Sequence, residues 1–183
     1  MMKTIVTGTR RWLALAALAG LIAVMPRPGA TAEPAAAHRI DWATLLPASE
    51  RAHYDPAPPP PLHDYLGEGD LAALQTGSDA VNAALDGQRI TLPGFVVPLE
   101  RGADGLLSEF FLVPYFGACI HVPPPPPNQI VYVRMRAGAG LRSIEDAQWV
   151  TGRLHAVARS TDLGVAAYTL DGERLDPYTT PNP

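Results

Sequence analysis

Five consecutive prolines, Pro123–Pro127, bar the middle of this 183-residue chain from a helix or a central sheet ladder. Proline has no backbone N–H to donate and its ring fixes φ. The run is expected to form a polyproline II rod of about 15 Å, at about 3.1 Å per residue. It lies within Tyr115–Gln129 (YFGACIHVPPPPPNQ), which also holds the only cysteine, Cys119, with His121 two residues later. The rod offers carbonyls but no donors. It is rigid before anything touches it, so docking it costs little conformational entropy. It can serve as a ridge read by a partner's aromatic groove, or as a strap that shields a strand edge. The candidate partner-binding segment is therefore Tyr115 and Phe116, then Pro123, Pro124, Pro125, Pro126 and Pro127, then Asn128 and Gln129. The default roles are structural. Tyr115 and Phe116 suit core or barrel-mouth packing, and Asn128 and Gln129 can donate to the last proline carbonyls and start a strand.

The N-terminus reads as an address. Lys3, Arg10 and Arg11 precede the apolar run Trp12–Met25, which is shorter than the about 20 residues of a membrane span. Ala30-Thr31-Ala32 supplies a small-x-small cleavage pattern. Residues 1–32 are expected to be a signal peptide, and no transmembrane span is expected after cleavage. Thr9–Leu13 (TRRWL) loosely resembles a twin-arginine signal, but the Sec route is favoured. No cysteine directly follows the apolar run, so a lipid anchor is not expected. The expected location is the periplasm.

Cleavage changes the charge. Four of the fourteen Lys and Arg leave with the signal and all eighteen Asp and Glu stay, so the formal net charge moves from −4 to −8. No lysine remains after residue 32. That argues against nucleic-acid binding, which needs a basic stripe, and against docking on anionic lipid. A lone cysteine excludes an intrachain disulfide, so stability must come from one hydrophobic core.

The expected organisation is an N-terminal part over residues 33–88, a β domain over 89–178 and a tail over 179–183. In the first part, Asp41 caps a short helix through Leu46, stopped by Pro47. Ser49–Pro61 is expected to be an extended strap. Ser78 is expected to cap a second helix ended by Gly87. Strands are expected over Arg89–Leu99, with a bend or bulge at Pro93-Gly94, and over Glu109–Pro114, Ile130–Met135, Gln148–Ala158 and Val165–Leu170. Gly138–Gly140 and Asp171-Gly172 are read as turns, and Ser143–Asp146 as one helical turn. Alternation places Val150, Gly152 and Leu154 on one face, with Gly152 permitting a bend, and pairs Tyr168 with Leu170. The fold class is mainly β: a small OB-like five-stranded barrel with short N-terminal helices.

Three segments carry a family resemblance: Leu92–Glu100 (LPGFVVPLE), Glu109–Val133 (EFFLVPYFGACIHVPPPPPNQIVYV) and Trp149–Leu154 (WVTGRL). The chain resembles a family of exported bacterial proteins catalogued only as a domain of unknown function. The resemblance spans about residues 90–178, with a weaker match at Ile40–Pro47. It implies an OB-like β fold, an envelope location and the company of an ABC-type export system or metal-related envelope proteins. The family has no established catalytic residues to transfer.

Cys119 and His121 point to one face if the segment is extended, and thiolate and imidazole suit zinc or copper. Glu100 and Glu109, at the strand ends flanking Arg101–Ser108, are the nearest candidates to complete such a site. His155 is a weaker candidate, and His38, His53 and His63 join only if the N-terminal strap folds over it. The commoner fate of a lone cysteine is a small buried hydrophobe. A Cys119 nucleophile with His121 as base has no visible third group or oxyanion-hole signature. The reading is thus a periplasmic, non-enzymatic accessory or binding protein whose partner is an envelope protein or an ABC transporter component. The alternatives are a zinc or copper protein and, second, a thiol-dependent enzyme.

Overall fold

The computed structural model describes residues 36–55, 74–120 and 122–179. The expected signal peptide, the last six residues of the expected strap (56–61), His63 and His121 lie outside these residues. The described chain contains eight strands: β1 (His38–Arg39), β2 (Arg89–Arg101), β3 (Leu107–Val113), β4 (Val131–Ala139), β5 (Gln148–His155), β6 (Arg159–Thr161), β7 (Gly164–Ala166) and β8 (Tyr168–Pro177). Two short helices precede the long strands, α1 (Trp42–Leu45) and α2 (Ala48–Arg51).

Five strands close into a barrel. The order is β2-β3-β4-β8-β5, and β5 returns to pair with β2. Only β4 and β8 run parallel among these pairs; the other four are antiparallel. This is the OB-like arrangement expected from the strand pattern. Closure depends on β2. Its first half, Arg89–Gly94, pairs with β5, and its second half, Phe95–Arg101, pairs with β3. The expected bend at Pro93-Gly94 is therefore where the strand changes partner, and the register shifts fall later, between Pro98 and Arg101.

Alternation fills the barrel. Ile90, Leu92 and Val96 of β2, Phe110 and Leu112 of β3, and Val131 and Val133 of β4 are buried in one cluster. Val150 and Leu154 join them from β5, and Tyr168 and Leu170 from β8. Each large apolar side chain withdrawn fully from water stabilises by about 1.5–3 kcal/mol. The opposite face of β2–β4 is buried too. Val97, Phe111, Val113 and Tyr132 form a second cluster with Ala118, Cys119, Ile130 and Ala166. Phe110–Val113 is apolar at every position because both faces of β3 are covered.

Several boundaries differ from expectation. Ser49–Arg51 is helical rather than extended, with Arg51 Nε donating to the Leu46 carbonyl at 3.0 Å. The second helix is a single 3-10 turn, Ala83–Leu85, capped by Asn82 and not by Ser78. Ser78 instead accepts from the Ala80 N–H and donates to Glu50. Ser143 accepts from the Glu145 N–H two residues on, and this local turn replaces the expected helical one. Gly138 lies within β4. The long fourth strand ends at His155, and the fifth is divided into β7 and β8. Asp171-Gly172 does not turn: both residues pair with β4 and with β5.

Candidate functional site: a proline-walled cleft

The first helix follows from local chemistry. Asp41 accepts from the Thr44 N–H at 2.9 Å, and Trp42 and Leu45 turn inward. Trp42 Nε1 donates to the Pro93 carbonyl at 2.7 Å, and the Tyr168 hydroxyl donates to the Leu45 carbonyl. The helix is thereby pinned to the barrel, and α2 follows directly after Pro47.

The proline run lies against this pair. Pro124 and Pro125 are buried, while Pro123, Pro126 and Pro127 are half-buried. Their carbonyls are put to use: Gln75 Nε2 donates to Pro125 O at 2.9 Å, Gln129 N to Pro126 O at 2.8 Å, and both Ile130 N and Ala167 N to Pro127 O. Gln75 also exchanges two hydrogen bonds with the Val165 backbone, which ties the prolines to β7. The last proline starts a 3-10 turn, Pro127–Gln129, that feeds β4. Gly77 packs so closely on Pro126 that a Cβ there would stand 2.7 Å from its ring.

Between the prolines and α2 is a cleft of about 640 Å³, within the range of small-molecule sites. Pro123–Pro126 form one wall, with Pro114 and Tyr115 beside them. Leu46, Ser49, Glu50 and residues 53–55 form the opposite side, and Leu74 and residues 76–78 complete it. At its base lie Asn128 and Gln129. Asn128 Nδ2 donates to Glu50 Oε2 and to the Ala80 carbonyl, both at 3.0 Å. Ser78 Oγ donates to Glu50 Oε1 at 2.8 Å. Each Glu50 oxygen is thus held by one neutral donor. Gln129 Nε2 donates to the Trp42 and Asn128 carbonyls, at 3.1 and 3.0 Å. Its Oε1 has no partner, although the residue is only 5 % exposed.

Burial dominates the acid–base character here. It pushes the Tyr115 phenol up to about 12, with the nearby Cys119 thiol a second cause. Tyr54 is raised by burial and then by the Asp41 and Asp55 carboxylates.

Cys119 stands behind the cleft wall. It is 2 % exposed and belongs to the second hydrophobic cluster, and burial pushes its thiol up to about 12. Its φ of 64° is left-handed, rare for a residue with a side chain. The tight turn around it explains this: Ile120 N and Val122 N both donate to Gly117 O, and Cys119 N donates to Val122 O. Phe116 and Ile120 on the same loop are exposed, and the Phe116 ring lies 6.0 Å from that of Phe95.

The other sequence-derived candidates are dispersed. Strand register sets Glu100 opposite Glu109, and Glu109 Oε1 accepts from Arg134 Nε at 3.2 Å. His38 is on β1, and His53 lines the cleft. His155 stands between Asp86 and Asp171, at 3.9 and 3.6 Å. Among the described residues no three Cys, His, Asp or Glu side chains are grouped to hold a metal. Sequence reading missed Glu50, Tyr54, Gln75 and Ser78. Only the amide pair Asn128-Gln129, set directly after a donor-free run, signalled that polar partners had to come from elsewhere.

A profile of the family described as "Protein of unknown function (DUF3299)" matches residues 42–177. The chain belongs to that family. A solved DUF3299 family protein from Pseudomonas aeruginosa PAO1 is 41 % identical, with a TM-score of 0.69, covering 80 % of this chain and 99 % of that one. No curated protein matches. The DUF3299 match begins at Trp42, so it takes in α1 and α2 as well as the barrel. No helix among the described residues is long and apolar enough to cross a membrane.

Proposed function

We propose that this DUF3299 protein is a non-enzymatic binding protein of the bacterial envelope, working with a membrane transport system, and that the proline-walled cleft is its binding site. The observation that carries the reading is the cleft itself. It has the volume of a ligand site, an apolar wall that needs no ordering, and a few fixed polar groups at its base. The signal-like N-terminus supports export. The exposed Phe116 and Ile120, on the loop that leads into the prolines, supply an apolar contact for a partner. The zinc or copper and thiol-enzyme alternatives both need an accessible thiolate, and burial holds Cys119 in its protonated form.

The test combines fractionation with complementation of a deletion strain. The native chain is expected in the periplasmic fraction. A Thr76→Trp chain, with an indole projecting from a lining residue, is expected to fold with unchanged Tm and to fail to complement. Cytoplasmic retention of the native chain would overturn the envelope assignment. Full complementation by a stably folded Thr76→Trp chain would overturn the cleft.

A further inference from the structure

We infer that a second cavity, built on β1, β2, β5 and β8, binds a phosphate group, either as the free ion or on a small molecule. It shares no lining residue with the proline-walled cleft, so it stands or falls independently of that site.

Strand register builds it. Arg39 pairs with Thr91, Thr91 with Thr151, and Thr151 with Arg174. One row across four strands therefore reads Arg-Thr-Thr-Arg. Side chains alternate along a strand, so Thr91 and Thr151 face away from the core residues Ile90, Leu92 and Val150. Above this row is a cavity of about 280 Å³, with Arg39, Thr91 and Arg174 in its wall.

The row holds donors that the protein does not spend. The two threonine hydroxyls share a single hydrogen bond of 2.9 Å. Two protons and one bond leave one O–H over. Thr91 lines the cavity, whereas Thr151 is 1 % exposed, so when Thr151 donates the spare proton belongs to the hydroxyl at the cavity wall. Arg39 lies over the Trp149 ring, 4.6 Å from its centroid, and Trp149 stacks on Tyr178 at 5.1 Å. The indole N–H is tied to the Thr179 carbonyl at 3.3 Å. The Arg39 guanidinium is thus seated on a held ring, and among the described residues it has no ion pair. Its planar fork of N–H groups suits an oxyanion.

The single carboxylate of the wall sets which oxyanion. Asp176 Oδ2 accepts from Arg174 Nε, which leaves the terminal nitrogens of Arg174 to donate. Two guanidiniums against one carboxylate give the cavity one surplus positive charge, in a chain of formal net charge −4. Asp176 still has lone pairs, and an ionised carboxylate can only accept. Sulfate and acetate carry no proton at neutral pH and meet repulsion there. Phosphate keeps a proton and can donate it to Asp176, while its other oxygens take charge-assisted bonds from the arginines.

The experiment titrates the full chain at pH 7 and low ionic strength with inorganic phosphate, sulfate and acetate. Binding is read by calorimetry and by the chemical shift of the Trp149 indole N–H. Phosphate is expected to bind about tenfold more tightly than either of the others. Arg39→Gln, at an exposed position, is expected to fold with little change in Tm and to weaken phosphate by about tenfold. Asp176→Asn replaces an acceptor by an amide that can donate, and is expected to bring sulfate level with phosphate. Glycerol 1-phosphate separates the two sources: tighter binding than inorganic phosphate assigns the site to a phosphate ester, weaker binding to the free ion. Sulfate or acetate equal to phosphate in the native chain overturns the assignment. So does unchanged phosphate binding by a folded Arg39→Gln chain, or an indole N–H that does not shift with any probe up to about 10 mM.

Discussion

Gly152 of β5 pairs directly with Gly172 of β8 at the point where the β5–β8 register shifts. A Cβ on Gly152 would overlap the Asp171 carbonyl oxygen, and one on Gly172 would overlap the Met135 sulfur. These two absent side chains let β4, β8 and β5 approach closely enough for the barrel to close. The obstacles differ in kind. Backbone faces Gly152, whereas a flexible thioether faces Gly172.

Gly152→Ala is accordingly expected to be the more damaging of the two. Overpacking costs about 1–3 kcal/mol, and the Gly152 variant should reach or exceed the upper end while Gly172→Ala stays near the lower. Urea denaturation of both variants checks the order. Equal losses would show that the β8 backbone yields as readily as the Met135 side chain.

The Tyr168 hydroxyl joins the barrel to the first helix. It donates to the Leu45 carbonyl and accepts from the Asn82 N–H at 2.6 Å. Tyr168→Phe keeps the buried ring and removes both bonds. The Asn82 N–H still donates to the Leu45 carbonyl at 3.2 Å, so neither group is orphaned and the expected loss is about 0.5–1.5 kcal/mol. Hydrogen exchange should rise at the amides of α1 and of Asn82 more than in β8. Uniform acceleration across the chain would show that the hydroxyl acts on global stability alone.

The fold was legible where periodicity was strong. Ile130–Met135 alternates, and Val131, Val133 and Met135 are in the core as that pattern requires. The one-face rule was also right for Val150 and Leu154. Asp171-Gly172 misled because Asp-Gly is a turn signal in isolation, while here the glycine serves close strand contact rather than a change of direction. Ser143–Asp146 misled because the same serine that starts a capping box can close a turn two residues on. The cleft was half legible. Its proline wall stands out in the sequence, whereas Glu50 and Ser78 are brought to Asn128 by folding across 78 and 50 positions, and no local pattern encodes that.

Cys119 supplies a prediction about alkaline stability. Its folded thiol is raised from an ordinary value near 9 to about 12 by burial. A group raised on folding contributes stability that is whole below its unfolded value and is lost as pH climbs through the folded one. Stability should therefore decline between about pH 9 and 12, with Tyr115 contributing over an overlapping window because it too is raised to about 12. Cys119→Ala removes the thiol's share, so its stability should fall less steeply over that range. Parallel curves for the two proteins would show that Cys119 is not the group responsible. Thiol reagents should label native Cys119 at the rate of structural opening, and at once in denaturant.

Asn128→Asp tests the base of the cleft with a nearly isosteric change. The amide nitrogen that donates to Glu50 Oε2 and to the Ala80 carbonyl becomes an oxygen with nothing to donate. At neutral pH two carboxylates then stand at hydrogen-bond distance, and like charges this close cannot both ionise without cost. A loss of about 2–4 kcal/mol is expected at pH 7, since donors are removed from a buried network and a charge is added to it. The sign of the pH dependence follows. In the folded variant one carboxyl of the pair is raised above its unfolded value of about 4. The variant's deficit should therefore shrink as pH falls toward 4 and be largest at neutral pH and above. Denaturant unfolding of wild type and variant at pH 4.5 and pH 7 measures the difference between the two. A deficit that is the same at both would mean that the loss of donors, and not the charge pair, accounts for the change. A deficit near zero at pH 7 would mean that Glu50 swings away from Asn128, and with it the fixed carboxylate at the base of the cleft would be lost.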